Sequence, residues 1–277
     1  MRAPFCNAPL SPVWRDRYSG GTITKVPPMS LPDILLLTVA AFFGGAINAI
    51  AGGGSFLTFP ALVFTGVPTI AANATSAVAV FPGYLSSALG FVQELRQVPA
   101  RQLWLLIGIS ALGGFLGSLL LLVSSPGVFA IIVPWLLGFA TLLFAFGKRV
   151  ADWAQRHVNA EGWQANAAGL LVCIYGGYFN GGLGIILLAL LSGLGMRDLN
   201  MMNGLKNGMS FAVSGAAVAT FALAGLVHWP EAALMMIAAT IGGYVGARAS
   251  RRVPAHVVRA AVVVIGTTMT AVFFARI

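Results

Sequence analysis

The chain has 277 residues, of which 58% are hydrophobic and only 8% are charged. A soluble domain carries about 25% charged residues, so the composition excludes a soluble globular protein and indicates a membrane protein. The net charge of +9 does not indicate nucleic-acid binding, because the basic residues flank apolar runs as the positive-inside rule requires. The two cysteines form no CxxC motif, so neither a thiol redox site nor a metal site is supported.

Residues 1–28 differ from the rest of the chain, because they contain four basic residues and several prolines but no apolar run. They do not resemble a cleavable signal peptide, since the apolar stretch after them is too long and lacks a clear small-residue cleavage site. We expect a disordered amino-terminal extension, with Met29 as the natural start of the protein.

Eight apolar runs follow, and six of them have about the length of one transmembrane helix. The first and fifth runs are longer and contain consecutive glycines. As a straight helix each would measure about 45–50 Å, against a hydrocarbon core of about 30 Å, while two full crossings need about 40 residues. Each long run is therefore predicted to form a glycine-broken helical hairpin. The runs cover residues 33–66, 70–93, 101–123, 127–147, 166–195, 203–227, 230–248 and 256–275.

Three landmarks of the first half return in the second half at a nearly constant offset of about 130 residues, which is the signature of a duplicated unit. The spacing predicts a first transmembrane repeat over 29–147, a cytoplasmic linker over 148–165 and a second repeat over 166–277. The landmarks are Gly113–Gly117 with Gly242–Gly246, Asn48 with Asn180, and Asn73 with Asn203.

Basic residues orient the two repeats, because positively charged loops stay in the cytoplasm. If each broken hairpin returns to its own side, repeat one starts outside and repeat two starts inside. We therefore predict an all-α polytopic membrane protein with two inverted repeats of about four hydrophobic segments each. The three basic loops contain Arg96 and Arg101; Lys148, Arg149 and Arg156; and Arg248, Arg251 and Arg252.

The glycine clusters have two readings. Small residues let helices approach closely, and this reading suits the GxxxG pairs Gly113/Gly117 and Gly242/Gly246. Consecutive glycines break a helix instead, and they expose backbone N–H groups at the positive end of a half-helix, which suits an anion. The predicted anion-binding backbone comprises Gly52, Gly53, Gly54 and Ser55 in the first half and Gly181, Gly182 and Gly184 in the second.

Polar side chains near the breaks complete the candidate site. Asn48 and Asn180 each lie about one turn before a break, where they either satisfy freed carbonyl groups or contact the substrate. Lys206 either snorkels to the interface or supplies positive charge inside the membrane, and Ser76 occupies its matching place in repeat one. The remaining candidate contacts, which lie in the same two clusters, are Asn73, Thr75, Asn203 and Asn207.

Other function classes lack their signatures. None of the seven acidic residues is predicted to lie at mid-membrane, which argues against cation transport and against a carboxylate proton relay. No Ser-His-Asp, HExxH or Walker pattern is present, so we expect no enzyme activity, no cofactor and no metal.

The motifs resemble those of the TauE/SafE sulfite exporter family, also called the TSUP family, from about residue 30 to the end. The resemblance implies a bacterial inner-membrane permease for small sulfur-containing or related organic anions such as sulfite, sulfoacetate and sulfonates. Family members often have a threonine where this chain has Leu205. The residues that carry the resemblance are Phe43–Ser55, Pro60–Leu62, Gly66, Ala72–Ser76, Gly176–Gly184 and Asn203–Asn207.

The favoured hypothesis is a secondary transporter that works by alternating access, with a small anionic substrate and the lipid bilayer as its partners. A passive anion channel on the same broken helices is the alternative. The sequence leaves open the substrate, the direction of transport, the coupling ion and assembly into a homo-oligomer.

Overall fold

The computed structural model describes residues 29–157, 162–249 and 255–275, and every regular element within these ranges is an α-helix. The expectations about residues 1–28, about 158–161 of the linker and about Arg251 and Arg252 lie outside the described residues. The helices are α1 (Leu31–Ala51), α2 (Ser55–Phe64), α3 (Thr69–Leu89), α4 (Val92–Leu95), α5 (Ala100–Val123), α6 (Pro126–His157), α7 (Trp163–Tyr178), α8 (Leu183–Gly193), α9 (Leu199–Leu223), α10 (Trp229–Ala249) and α11 (Ala255–Phe274).

Both long apolar runs are broken, as the sequence predicts. Residues 52–54 separate α1 from α2, and residues 179–182 separate α7 from α8. The two arms of the first run pack against each other, because Gly44 of α1 lies beside Thr58 of α2, and Gly54 lies beside Asn48. The contacts close to the break join residues close in sequence, so the arms are antiparallel. The all-α fold with a broken helix at the start of each half is confirmed.

Helix α6 is longer than the sequence predicts. It continues to His157, so the first ten residues of the segment expected as a linker are helical. The extension is charged but contains neither glycine nor proline, and nothing in it stops a helix. The short helix α4 is a second element that the apolar runs do not reveal, since it has only four residues.

The outer surface of the bundle is apolar and its interior contains polar groups, as expected of a protein that is surrounded by lipid. Leu223 is 91% exposed, whereas Ser210 and Ser214 of the same helix are buried. Among the described residues, three helical segments are both long and apolar enough to cross a membrane: Leu31–Ala49, Ala100–Val123 and Pro126–Gly147. The remaining long helices contain more polar residues, and several of these are buried, such as Asn73 and Ser76 of α3.

Two close helix pairs place the hairpins, and both depend on glycine. Helix α1 packs along α10, where a β-carbon on Gly242 would overlap the backbone of Phe42 and one on Gly246 would overlap Ala46. The two helices are parallel, because the contacting residues follow the same order along both: Phe42 and then Ala46 in α1, Gly242 and then Gly246 in α10. Helix α7 packs along α5 in the same way, with Gly117 against the backbone of Ile174. These GxxxG glycines therefore serve helix packing.

Each half thus supplies the partner for the other half's hairpin. Helices α3 and α9 pack on each other in the centre, and α6 packs on α11. Helix α3 also contacts α10, while α9 contacts α5. The two breaks therefore lie between helices that come from both halves of the chain.

Candidate functional site

The two helix breaks lie against each other. A β-carbon on Gly52 would lie 3.1 Å from the Cα of Gly184, and a β-carbon on Gly184 would lie 3.1 Å from the Cα of Gly52. The side chain of Lys206 reaches the same place, since its Cδ would be 3.4 Å from a β-carbon on Gly184. The backbone of both breaks and a cationic side chain of α9 therefore meet at one point, which we call the junction.

Two helices begin at the junction without a side-chain cap. The N-cap residues of α2 and α8 are Gly54 and Gly182, and neither helix start has a side-chain hydrogen bond. The first N–H groups of a helix have no partner within the helix. By contrast, the side chains of Ser30 and Asp198 cap α1 and α9. The N–H groups of Phe56 and Leu57 in α2 and of Leu183 and Ile185 in α8 donate to carbonyl groups of their own breaks. The donors that remain at the two positive helix ends are the N–H groups of Ser55 and Gly184.

Three carbonyl groups at or beside the first break already have donors. The Asn48 carbonyl accepts the Gly52 N–H at 3.0 Å, and the Gly53 carbonyl accepts the Phe56 N–H at 3.2 Å. The Gly54 carbonyl accepts from the N–H of Leu57 at 3.1 Å. These carbonyl oxygens therefore accept hydrogen bonds from backbone N–H groups of the protein itself.

At the second break two side chains donate to carbonyl groups, in addition to the backbone N–H groups that donate to the Asn180 and Gly182 carbonyls. The Asn73 amide donates to the Tyr178 carbonyl at 2.9 Å, and the Tyr175 hydroxyl donates to the Gly181 carbonyl at 2.6 Å. Asn73 therefore satisfies a freed carbonyl group. Most carbonyl groups at the breaks thus accept hydrogen bonds from the protein, and two helix N-termini lack a side-chain cap, which favours an anion over a cation at the junction.

A tyrosine connects the two candidate asparagines. The Tyr84 hydroxyl donates to Asn180 Oδ1 at 3.4 Å and also interacts with the Asn48 side chain. The Asn180 amide donates to Ser214 Oγ at 3.4 Å. Asn180 has a φ of 61°, the one positive φ of a non-glycine residue among those described. Sequence analysis missed Tyr84 because it lies 96 residues from Asn180.

Asn48 retains one unused acceptor. Its Oδ1 is buried without a hydrogen-bond partner, and the side chain lines a cavity of about 10 Å³ between α1, α3 and α10. Such a space holds about one water molecule. A buried oxygen without a partner costs about 1–3 kcal/mol, so a water at this place would stabilise the Asn48 side chain.

The hydroxyl groups of α3 are engaged by the protein. Ser76 Oγ lies 2.6 Å from Thr58 Oγ1, which in turn donates to the Gly54 carbonyl at 3.3 Å. Thr75 Oγ1 accepts the backbone N–H of His228 at 3.0 Å. Ser76 is therefore linked to the first break through Thr58, whereas Thr75 fixes the loop before α10.

Lys206 is buried. Only 2% of its surface is exposed, and no ion pair to it occurs among the described residues. The geometry fits a charge held inside the protein better than a side chain that snorkels. Asn207 beside it is also buried. Asn203 is only half-buried, and its neighbour Gly204 packs against Phe91 and Leu95 instead of a break.

A second polar pair lies at the start of α10. Glu231 is 5% exposed, and its Oε2 has no hydrogen-bond partner. Burial lowers the pKa of His228, which precedes the helix, and the nearby Glu231 carboxylate opposes this shift. The sequence predicts only that Glu231, like the other acidic residues, does not lie at mid-membrane, and it does not reveal the burial of this side chain. The described residues contain no cluster of His, Cys, Asp and Glu that could hold a metal ion.

Known proteins resemble this chain over most of its length. The sequence profile of the family Sulfite exporter TauE/SafE matches residues 37–273. A probable membrane transporter protein of Haemophilus influenzae is 31% identical over 245 residues, covering 86% of this chain and 94% of that protein.

Two further relatives have the same kind of name. The probable membrane transporter protein ORF9 of a Sinorhizobium species is 26% identical, and the match covers 85% of this chain and 90% of that protein. The probable membrane transporter protein YfcA of Escherichia coli K12 is also 26% identical, and the match covers 85% of this chain and 87% of that protein. No solved structure matches the chain. The glycine-broken hairpins, their junction and these matches together show that the chain is a membrane protein that belongs to the sulfite exporter TauE/SafE family.

Proposed function

We propose that this protein is a secondary transporter that carries small sulfur-containing or related organic anions across the bacterial inner membrane as a multi-pass protein. The observation that carries the proposal is the junction, where two uncapped helix starts meet the buried Lys206. Backbone N–H groups replace the hydration shell of an anion, and Lys206 balances its charge. The family name and the names of the relatives support a transport function.

Sulfite, sulfoacetate and other sulfonates fit this chemistry, because each presents several oxygen acceptors around one compact anionic centre. The occupied carbonyl groups disfavour a cation. The substrate-binding set that we propose is Asn48, Gly52, Gly53, Gly54, Ser55, Asn73, Thr75, Ser76, Asn180, Gly181, Gly182, Gly184, Asn203, Lys206 and Asn207. Within this set Asn73 and Thr75 act by positioning the backbone, through the bonds they make to it.

Alternating access follows from an inverted repeat. Helix α1 is parallel to α10, and α7 is parallel to α5. Arg101 at the start of α5 and Arg248 at the end of α10 support a cytoplasmic location for these two ends under the positive-inside rule. In the topology that we propose, α1 therefore enters from outside and α7 from inside, and the two halves have opposite orientations. Rocking of one half against the other would expose the junction to each side in turn.

Flux into liposomes tests the proposal. Purified protein should move sulfite or sulfoacetate, and unlabelled substrate on the opposite side should accelerate the exchange of labelled substrate, as for a carrier. The substrate should be recovered chemically unchanged, since we expect no enzyme activity. Unitary conductance without such exchange would instead establish the channel alternative. Absence of flux for every sulfur-containing and carboxylate anion tested would reject the proposal.

A further inference from the structure

A cavity of about 660 Å³ lies among α6, α8, α9 and α11. Its walls are apolar and its rim is charged. One wall is α8, the half-helix that begins at the second break. The residues used in the argument below are Phe144, Ile185, Ala189, Arg197, Met202 and Arg259, all of which line this cavity.

The inner end of the cavity approaches the junction along two helices. Ile185 follows Gly184, which contacts both Gly52 and Lys206. Met202 lies one helical turn before Lys206 on α9. An anion beside Ile185 and Met202 would therefore be about one turn of helix α9 away from Lys206 at the junction.

The ring of Phe144 lies between the cavity and the first break. Phe144 lines the cavity, and its Cζ would lie 2.6 Å from a β-carbon on Gly53. The ring is only 1% exposed and packs edge-on against Phe56, with the ring centroids 5.4 Å apart. Phe144 thus covers the backbone of the break on the cavity side.

The charges at the rim favour anions. Arg197 and Arg259 are exposed and line the cavity, and Arg149 joins Arg259 around an adjoining cavity of about 330 Å³. Asp152 lines the larger cavity and is the one acidic residue among the described residues that line either cavity. Clustered charges of one sign at a cleft raise the local concentration of the opposite ion.

We propose that this cavity is the access vestibule for the transported anion, with Arg197 and Arg259 as its anion-recruiting residues and Phe144 as the barrier between vestibule and junction. The inference rests on the proposed function, because it assigns a route to the same site. It adds residues that neither the family resemblance nor the sequence patterns single out.

Thiol labelling tests the vestibule without measuring transport. In a variant in which Cys6 and Cys173 are replaced by alanine, Ala189→Cys places one thiol in the cavity wall. Small anionic and cationic methanethiosulfonate reagents, present on both sides of liposomes, are compared. The anionic reagent should react about tenfold faster, as expected for attraction by clustered charge, and Arg197→Gln with Arg259→Gln should abolish the preference. Ser125→Cys, in the loop between α5 and α6, should show no such preference.

Labelling at the junction tests the barrier. With Phe144 present, Ser55→Cys should react slowly, and Phe144→Ala should accelerate its modification about tenfold or more. Phe144→Val, which removes less volume, covers the case in which the alanine variant fails to fold. Phe139→Ala is the control, because Phe139 is on the same helix but 49% exposed.

Equal reactivity of the two reagents toward the Ala189→Cys thiol would overturn the inference, and so would a Ser55→Cys thiol whose labelling neither Phe144 substitution changes. Labelling of Ala189→Cys in detergent but never in liposomes would also overturn it, since acyl chains would then fill the cavity. Because labelling needs no flux, its failure is distinct from failure of the transport proposal. Charge-selective labelling without any flux would reject only the transport proposal.

Discussion

Both helix breaks interrupt a long apolar run, but they differ in the residues that form them. The first break has glycine at all three positions: Gly52 has a φ of 79°, and backbone N–H groups donate to the Gly53 and Gly54 carbonyls, with the Thr58 hydroxyl as a further donor to Gly54. The second break has Asn180 and Gly182 in left-handed conformation, and Asn73 and Tyr175 add side-chain donors for the Tyr178 and Gly181 carbonyls. The second break also has Lys206 beside it, whereas Ser76 occupies the matching place near the first.

This difference indicates a division of roles within one site. The first break is a bare backbone surface that tolerates little change in shape, since Gly52 and Gly53 are closely packed. The second break is a polar assembly in which charge and side-chain hydrogen bonds are adjustable. Substitutions should therefore act through sterics at the first break and through electrostatics and hydrogen bonding at the second.

The largest effect on stability is expected from Gly52→Ala. A side chain in left-handed conformation costs about 1–2 kcal/mol, and here the added methyl group would also press on Gly184 at 3.1 Å. Gly66→Ala is the matched control, because Gly66 has a φ of 89° but no neighbouring atom within 4 Å of the added carbon. Thermal unfolding in detergent should show a larger fall in Tm for Gly52→Ala. Equal falls would mean that contact between the breaks is unimportant.

Asn73→Ala should destabilise the second break. It leaves the buried Tyr178 carbonyl without its donor, at a cost of about 1–3 kcal/mol. Asn203→Ala, at the corresponding place of the other half, should cost less because Asn203 is only half-buried. The Tm of both variants is the measurement. A larger fall in Tm for Asn203→Ala than for Asn73→Ala would mean that Asn203, not Asn73, makes the more important structural hydrogen bond.

Tyr84→Phe removes the hydroxyl group shared by Asn48 and Asn180. We expect a loss of about 1 kcal/mol for one buried hydrogen bond, together with lower substrate affinity because both amides lose a fixed orientation. Tyr244→Phe is the control, since Tyr244 is 58% exposed. The Tm and the KM for flux are the measurements. Unchanged values for Tyr84→Phe would show that the tyrosine does not couple the two breaks.

The smallest effect concerns pH. Burial holds the pKa of His228 below its usual value of 6.5, so the unfolded chain binds a proton more readily than the folded protein. Stability should therefore decrease as the pH falls through 6.5 toward the folded-state pKa. The Tm measured at pH 7.5 and 5.5 should differ less in His228→Asn than in the original protein.

Glu231→Gln sharpens the pH test. It removes the carboxylate that opposes the pKa shift of His228, so the difference in Tm between the two pH values should increase. A smaller difference in this variant would mean that the pH dependence has another source.

The sequence predicts the breaks because consecutive glycines and excess run length are local signals. It also indicates Asn48, Asn180 and Lys206, since polar residues in apolar runs are conspicuous. It does not reveal Thr58, Tyr84, Tyr175 or Phe144, because these residue types are ordinary in a membrane helix. Their importance arises from contacts between segments distant in the chain, such as Tyr84 with Asn180.

Helix ends were predicted less well for a related reason. The apolar pattern of α6 stops near Gly147, but the helix continues through a charged segment to His157. Hydrophobicity reports contact with lipid, whereas helix formation depends on the backbone and needs no apolar side chains. The burial of Glu231 was missed likewise, since its position near a helix start does not tell which way the side chain faces.

The central claim is that an anion binds where the two breaks meet and that Lys206 supplies the compensating charge. Initial rates of sulfite or sulfoacetate flux into liposomes test it most directly, for the original protein and for Lys206→Ala, Lys206→Arg and Arg101→Gln. Arg101 is an exposed residue in the first turn of α5 and serves as the control for removal of a positive charge. We predict that Lys206→Ala lowers flux about 100-fold, a loss of about 2.7 kcal/mol, that Lys206→Arg retains part of it, and that Arg101→Gln retains nearly all. Flux of Lys206→Ala equal to that of the original protein would contradict the account.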